Sequence, residues 1–170
     1  MRDPHIDHYF DRIPLGYLIT FRTYGTWLHG DPRGSVDRFH NRYGTPTISP
    51  DVRWHRYNER IMKVEPVKLD RIRRAAIDKA INETCELRKW RFHAANVRSN
   101  HVHAVVSAPC HPEIVLRALK ANATRMMRET GCWTSNGTPW AQKGSKRWLW
   151  THNQLQAAIT YVVDGQGTPL

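Results

Sequence analysis

Several features of secreted and membrane proteins are missing from this 170-residue sequence. No stretch approaches the ~20 consecutive apolar residues that a membrane-spanning helix needs. Residues 1–8 are polar where a signal peptide would be apolar. The three cysteines, Cys85, Cys110 and Cys132, are widely spaced and form no CxxC pair, which argues against a disulfide framework and against a zinc ribbon. We therefore expect a cytoplasmic protein with reduced thiols and no membrane partner.

Acidic residues are also scarce. Asp and Glu number 15 against 26 Lys and Arg, which gives a formal net charge of +11. A solvated helix face or loop would explain any single basic cluster, such as those at residues 71–74, 88–91 and 143–147. An excess this large in a small protein instead favours a polyanionic partner, because the summed field attracts phosphate backbones. Seven tryptophans serve either as core residues or as platforms for unpaired bases.

Hydrophobic periodicity and turn residues predict one domain over residues 1–170, with a long loop insertion at about 35–65. The order of elements is strand, helix, strand, strand, helix, strand, helix. The predicted ranges are 15–28, 69–87, 89–97, 101–107, 112–130, 147–151 and 154–163, with a hairpin turn at 98–100. The first six elements match the βαββαβ split unit. We expect an α+β, ferredoxin-like fold: an antiparallel sheet with helices on one face, plus a C-terminal helix.

The motif Ser99-Asn100-His101-Val102-His103 is the sharpest local feature. Two histidines at i and i+2 of a strand project from the same face, about 7 Å apart along the chain. Two neutral imidazoles placed this way can chelate one divalent ion. Two half-buried histidines bonded to backbone carbonyls are the alternative. The apolar residues that follow the motif favour a metal site, because they anchor the pair on a buried strand.

Two histidines need a further ligand, and the last predicted helix offers candidates. Asp164 lies three residues after Tyr161, so both face one side of a continuing helix. Gln166 would point away on an ideal helix, but Gly165 can end the helix and bring Gln166 back. Taken alone, this segment favours a core tyrosine on an amphipathic helix as the interpretation of Tyr161.

Taken together, these motifs resemble those of a known family. The histidine pair and the C-terminal helical tyrosine resemble the single-tyrosine HUH transposases of the IS200 type, and especially the REP-associated tyrosine transposases. The run from Ile19 to Leu28, ITFRTYGTWL, is similar to their first strand. The resemblance covers nearly the whole chain except residues 35–65.

The resemblance implies a role for each of these residues. His101 and His103 would hold Mg²⁺ or Mn²⁺ against the scissile phosphate. Tyr161 would attack that phosphate and form a 5′-phosphotyrosine, releasing a 3′-OH that later reverses the reaction. The family often has Gln or Asn four residues after the tyrosine as third metal ligand. That position here is Gly165, so Gln166 or Asp164 must substitute.

The implied substrate is single-stranded or hairpin DNA, and a homodimer is a possible assembly. Basic side chains along the chain are the predicted DNA contacts: Arg22, Arg117, Lys120, Arg125, Lys143, Lys146 and Arg147. A histidine-triad hydrolase would need a further histidine where Val105 stands. A 2H phosphoesterase would need two H-x-S/T motifs, and this sequence has none. A TIM-barrel amidohydrolase would need a longer chain than 170 residues. The remaining alternative is a catalytically silent HUH fold that binds hairpin DNA.

Overall fold

The computed structural model describes residues 13–35 and 48–165. The elements in chain order are β1 (Gly16–Thr23), α1 (Val52–Ile61), α2 (Arg71–Leu87), β2 (Arg91–Val97), β3 (His101–Ser107), α3 (Pro112–Glu129), β4 (Trp140–Leu149) and α4 (His152–Val163). Among the helices of this described part, none is long and apolar enough to cross a membrane.

The four strands form one antiparallel sheet in the order β2-β3-β1-β4. The strand β1 lies inside the sheet between β3 and β4. The strands β2 and β3 form the expected hairpin around residues 98–100. This order and these directions are those of the split βαββαβ unit, so the predicted ferredoxin-like fold is confirmed.

Each face of the sheet carries its own apolar core. The larger core joins alternate residues of β1, such as Ile19 and Phe21, to the buried stripes of α2 and α3. The smaller core joins Val105 and Leu149 to α4. The two long helices therefore share one face, as predicted, and the C-terminal helix covers the opposite face. The sheet separates α4 from α2 and α3.

Two strand boundaries differ from the sequence prediction by more than two residues. The strand β1 ends at Thr23 instead of reaching Leu28, because the chain turns at Gly25 and Trp27, whose φ angles are 74° and 55°. The strand β4 begins at Trp140 instead of Arg147. The polar run that precedes Arg147 has no apolar alternation, and it pairs with β1 all the same, at the sheet edge.

The predicted long loop of residues 35–65 includes the helix α1, which the sequence analysis did not place. The Asp51 side chain caps the helix by accepting hydrogen bonds from the backbone N–H groups of Arg53 and Trp54, at 2.9 and 3.0 Å. No residue of α1 is buried, and its apolar side chains Trp54, Tyr57 and Ile61, spaced at i, i+3 and i+7, are exposed. Residues 36–47 lie outside the described part.

Candidate active site

Strand pairing brings the two histidines against polar residues of β1. His103 is paired with Thr20 and His101 with Arg22. Directly opposed residues of an antiparallel pair share a face, so all four side chains lie on one side of the sheet. The side-chain positions of Thr20 and Arg22 alternate with those of Ile19 and Phe21, which enter the larger core on the other side.

A hydrogen bond fixes one nitrogen of each histidine ring. The His101 Nδ1 lies 2.7 Å from Asn100 Oδ1, and the His103 Nδ1 lies 2.8 Å from Thr20 Oγ1. An amide oxygen can only accept, so Nδ1 of His101 carries the proton and Nε2 carries the lone pair. Such bonds to the other ring nitrogen orient metal-binding histidines in proteins. No pattern in the sequence indicated the part played by Thr20.

The helix α4 places Tyr161 beside this pair. Its buried residues Ala158 and Val162 pack on Val105 and Leu149. The Asn96 side chain of β2 donates a 3.0 Å hydrogen bond to the carbonyl of Val162, which holds the end of the helix on the sheet. The ring centroid of Tyr161 then lies 5.5 Å from that of His103. Tyr161 is 46% exposed, so its phenol is accessible to a large substrate.

The donor set fits a divalent ion in part. The rings of His101 and His103 have centroids 4.8 Å apart, and their Nε2 atoms are the candidate ligands. Within residues 13–35 and 48–165, no group of three His, Cys, Asp or Glu side chains is placed to hold a metal. Asp164, which is exposed at the C-cap of α4, therefore does not complete the set. Gln166 lies outside the described residues, and its role stays a prediction.

The loop after β1 forms a third side of the site. Trp27 lies beside His101, with ring centroids 5.5 Å apart, and its carbonyl accepts a 2.9 Å hydrogen bond from Arg22 Nη1. Arg33 lies over the Trp27 ring, 4.9 Å from the centroid, and is paired with Asp31. Hydrogen bonds from Arg33 hold the pKa of Asp31 below its ordinary value. Burial lowers the pKa of Arg22, while the attraction of Asp31 opposes this shift.

Comparison with known proteins decides the family. The model of the "Transposase IS200 like" family matches residues 61–153, more than half of the chain and including both histidines. The chain belongs to the IS200-like transposase family. Among curated proteins, none matches this sequence with significant similarity.

Two solved structures are similar to this IS200-like transposase. The structure of a REP-associated tyrosine transposase bound to a REP hairpin is 12% identical, with a TM-score of 0.50, over 88% of this chain and 66% of that chain. The chain thus spans just under two thirds of that protein's length. A protein assigned as a transposase from Deinococcus radiodurans R1 is 15% identical, with a TM-score of 0.46, over 90% of this chain and 91% of that chain. At such identities the first likeness shows a shared fold.

The predicted DNA contacts of this IS200-like transposase divide between the two faces of the sheet. Arg147 is paired with Leu18, which packs on the smaller core, so it shares a face with Arg22 and the histidines. Lys143, also on β4, is exposed. Lys146 lies on the opposite face and pairs with Glu113 of α3. The basic residues of α3 likewise lie across the sheet from Tyr161, because that helix packs on the larger core.

Several of the α3 side chains are engaged within the protein. The ammonium of Lys120 donates to the carbonyls of Ala141, Gln142 and Lys143, and burial lowers its pKa to about 8. This placement ties α3 to β4 and does not support the predicted phosphate contact. Arg125 pairs with Glu83 and Glu129. Arg117 is exposed, and its predicted phosphate contact stays a prediction.

Proposed function

We propose that this IS200-like transposase cuts and rejoins single-stranded DNA beside hairpins, with Tyr161 as the nucleophile. The observation that carries the proposal is the position of Tyr161, an exposed phenol whose ring lies 5.5 Å from that of His103. The two side chains come from different elements, and α4 and β3 meet at the smaller core. The fold likeness to a transposase bound to a REP hairpin supports hairpin DNA as the substrate class.

In the proposed reaction, the Tyr161 phenol loses its proton and its oxygen attacks the scissile phosphorus. The bond between Tyr161 Oη and phosphorus forms, and the bond from phosphorus to the 3′ oxygen breaks. The products are a 5′-phosphotyrosine and a free 3′-OH, and attack by a 3′-OH on the phosphotyrosine restores the phosphodiester. The number of ester bonds is conserved, so the reaction needs no ATP.

The two histidines have a supporting task. Asn100 and Thr20 orient their rings, so that the Nε2 atoms would hold Mg²⁺ or Mn²⁺ on the Tyr161 side of the sheet. That ion would supply positive charge to the phosphate oxygens and favour the ionised phenol, whose ordinary pKa is about 10. The partly buried guanidinium of Arg22 lies on the same face and adds a fixed positive charge.

The decisive test is a covalent adduct. Hairpin oligonucleotides copied from DNA that flanks the gene, mixed with Mg²⁺ or Mn²⁺, should give a protein–DNA adduct that survives denaturation. Tyr161→Phe removes one oxygen and little packing, so it should abolish the adduct and leave hairpin affinity nearly unchanged. Tyr57→Phe on α1 is the matched control, because Tyr57 is also exposed and should keep the adduct. An adduct formed by Tyr161→Phe would contradict the assignment.

The metal assignment has a separate test by calorimetric titration with Mn²⁺. Wild-type protein should show a site that is absent when both His101→Ala and His103→Ala are introduced. The matched control is His111→Ala, an exposed histidine that contacts Trp148 on the other face of the sheet. Equal Mn²⁺ binding by the double variant and the wild type would rule out this pair as ligands.

A silent hairpin-binding protein is the second candidate. The observation that favours it is the lack of a third His, Cys, Asp or Glu ligand beside the histidine pair in the described part of the chain. It predicts tight, salt-dependent hairpin binding by the wild type, with no adduct on any flanking hairpin in either metal.

A further inference from the structure

Arg22 is an unusual residue for the middle of a sheet. It occupies a position on β1 directly opposite His101, on the face that also carries His103 and α4. Its side chain is partly buried between the histidine pair and the loop that follows β1. A buried arginine is ordinarily compensated by an anion or by a full set of hydrogen bonds, because the charge loses its hydration.

The described residues supply little of that compensation. A guanidinium has five N–H donors, and Arg22 makes one hydrogen bond with them, from Nη1 to the carbonyl of Trp27. The nearby carboxylate of Asp31 is held by Arg33, whose Nε and Nη2 each lie 2.8 Å from one of its two oxygens. Asp31 therefore attracts Arg22 from a distance without forming an ion pair with it.

The conformation of Trp27 fixes the direction of this guanidinium. Its φ of 55° is in the left-handed region, which non-glycine residues with bulky side chains seldom adopt. Backbone strain of this kind persists where the surrounding structure enforces it, and it is concentrated at functional sites. The turn directs the Trp27 carbonyl to Arg22 and the Trp27 ring to His101. The arginine is thus held beside the histidines with donors available to a ligand.

We propose that Arg22 is a further catalytic residue, whose guanidinium binds the non-bridging oxygens of the scissile phosphate. This inference rests on the proposed function and assigns its phosphate ligand. The guanidinium would approach the phosphate from β1 and Tyr161 from α4, on the same face of the sheet. It stays protonated throughout, and its N–H groups stabilise the charge that builds on phosphate oxygens as the bond to Tyr161 Oη forms and the bond to the 3′ oxygen breaks.

The first experiment measures phosphate binding without cleavage. The affinity of each variant for a thymidine homopolymer of about ten nucleotides is measured by fluorescence anisotropy, without metal, across a series of salt concentrations. Each lost phosphate contact on a single strand reduces the slope of log K against log salt by about 0.7. Arg22→Gln should show that loss, whereas Arg22→Lys should keep the wild-type slope because it keeps the charge.

The matched control is Arg73→Gln. Arg73 is also partly buried, donates to the carbonyls of Cys132 and Lys68, and lies over a tryptophan ring, that of Trp133. It belongs to α2, on the other side of the sheet, so this variant should keep the wild-type slope. Melting temperatures of the variants identify any general loss of folding. A wild-type slope in Arg22→Gln would overturn the inference.

The second experiment places the contact at the scissile phosphate. A methylphosphonate at that position removes the negative charge that Arg22 would bind. The methylphosphonate should reduce the rate of adduct formation by the wild type by a factor at least about ten times larger than the factor for Arg22→Gln. A hydrogen bond between charged groups contributes about that factor. Arg22→Lys should be intermediate, because an ammonium cannot bind two oxygens side by side.

The outcomes separate the inference from the proposed function. Equal slowing of wild type and Arg22→Gln by the methylphosphonate, with a wild-type adduct present, would overturn the inference alone. Absence of any wild-type adduct would overturn the proposed function, and the assignment of Arg22 to a scissile phosphate with it. A reduced salt slope together with the unequal slowing would support both.

Discussion

At the scale of single residues, Gly165 explains a departure from the family pattern. It stands four residues after Tyr161, where related enzymes often have a metal-ligating amide side chain. A Cβ atom at Gly165 would lie 2.7 Å from the carbonyl oxygen of Tyr161 and 3.1 Å from its ring. The backbone therefore leaves no room for a side chain at this position. The remaining amide candidate for a third metal ligand is Gln166, the residue that follows Gly165.

Gly165→Ala should therefore displace Tyr161 while leaving the fold intact. Misplacement of a reacting group by about 1 Å can cost on the order of a hundredfold in rate, so we expect adduct formation to slow by about that factor. The measurement is the single-turnover rate of adduct formation with the melting temperature alongside. Gly137→Ala is the matched control, because a Cβ there meets one atom at an ordinary 3.6 Å. Equal rates in both variants would contradict the steric argument.

The histidine pair could be predicted from a local pattern of the sequence, whereas Tyr161 was singled out by the family resemblance. The structure brings the three side chains together. Other residues of the site had no such signal. Thr20 contacts His103, and Trp27 contacts His101, only because of the register between β1 and β3 and the left-handed turn after β1. Register and turn geometry depend on tertiary packing, which no single segment of sequence encodes.

At the scale of elements, the position of Tyr161, the proposed nucleophile, depends on how α4 docks. The helix contacts the sheet through few side chains, and Val162 is the residue next to Tyr161 that is fully buried. Its neighbour Val163 is 60% exposed. The two adjacent valines thus have opposite environments on the same helix.

Val162→Ala should destabilise the protein and slow adduct formation, because it leaves a cavity beneath the last turn of α4. Truncation of a buried aliphatic side chain costs about 1–3 kcal/mol in the free energy of unfolding. Val163→Ala should change that free energy by less than about 0.5 kcal/mol. Urea denaturation followed by circular dichroism measures both values. Similar losses in the two variants would mean that α4 does not dock as described.

The elements that sequence analysis missed are those with the least burial. The helix α1 has no buried residue: its apolar positions Trp54, Tyr57 and Ile61 are exposed, and they stand among charged and polar residues. Its clearest boundary signal is the capping Asp51. The first part of β4, at the sheet edge, carries polar residues and Gly144. A Cβ at Gly144 would lie 2.7 Å from the carbonyl of Thr20, so the glycine permits close pairing with β1. Elements with a buried stripe, such as α3, were predicted to within a residue.

At the scale of the whole molecule, positive charge lies on both faces of the sheet, but the proposed active site lies on one. Arg147 and Arg22 share the face with the histidines, whereas Arg125 lies on α3 beyond the larger core. Arg125 is also paired with Glu83 and Glu129. A DNA strand that reaches Tyr161 would therefore meet the first group of cations before the second.

Arg147→Gln should weaken hairpin binding and reduce its salt dependence, while Arg125→Gln should leave both nearly unchanged. The physical reason is counterion release, which occurs only where a cation replaces ions at a phosphate. Anisotropy with one flanking hairpin, between about 50 and 200 mM salt, provides the comparison. A larger loss of salt dependence in Arg125→Gln than in Arg147→Gln would place the DNA on the α3 face instead.

The unequal size of the two cores affects the free energy that is needed to detach α4 from the sheet. Five buried residues make up the core beneath α4, whereas the core on the other face holds most of the buried side chains. Cooperative units with few apolar contacts open at a lower free energy than the global transition. Amide hydrogens of α4 should thus exchange with solvent faster than those of α3, through a state in which the rest of the protein stays folded. In that state the tyrosine is withdrawn, so DNA that contacts both α4 and the sheet would select the assembled site and protect those amides.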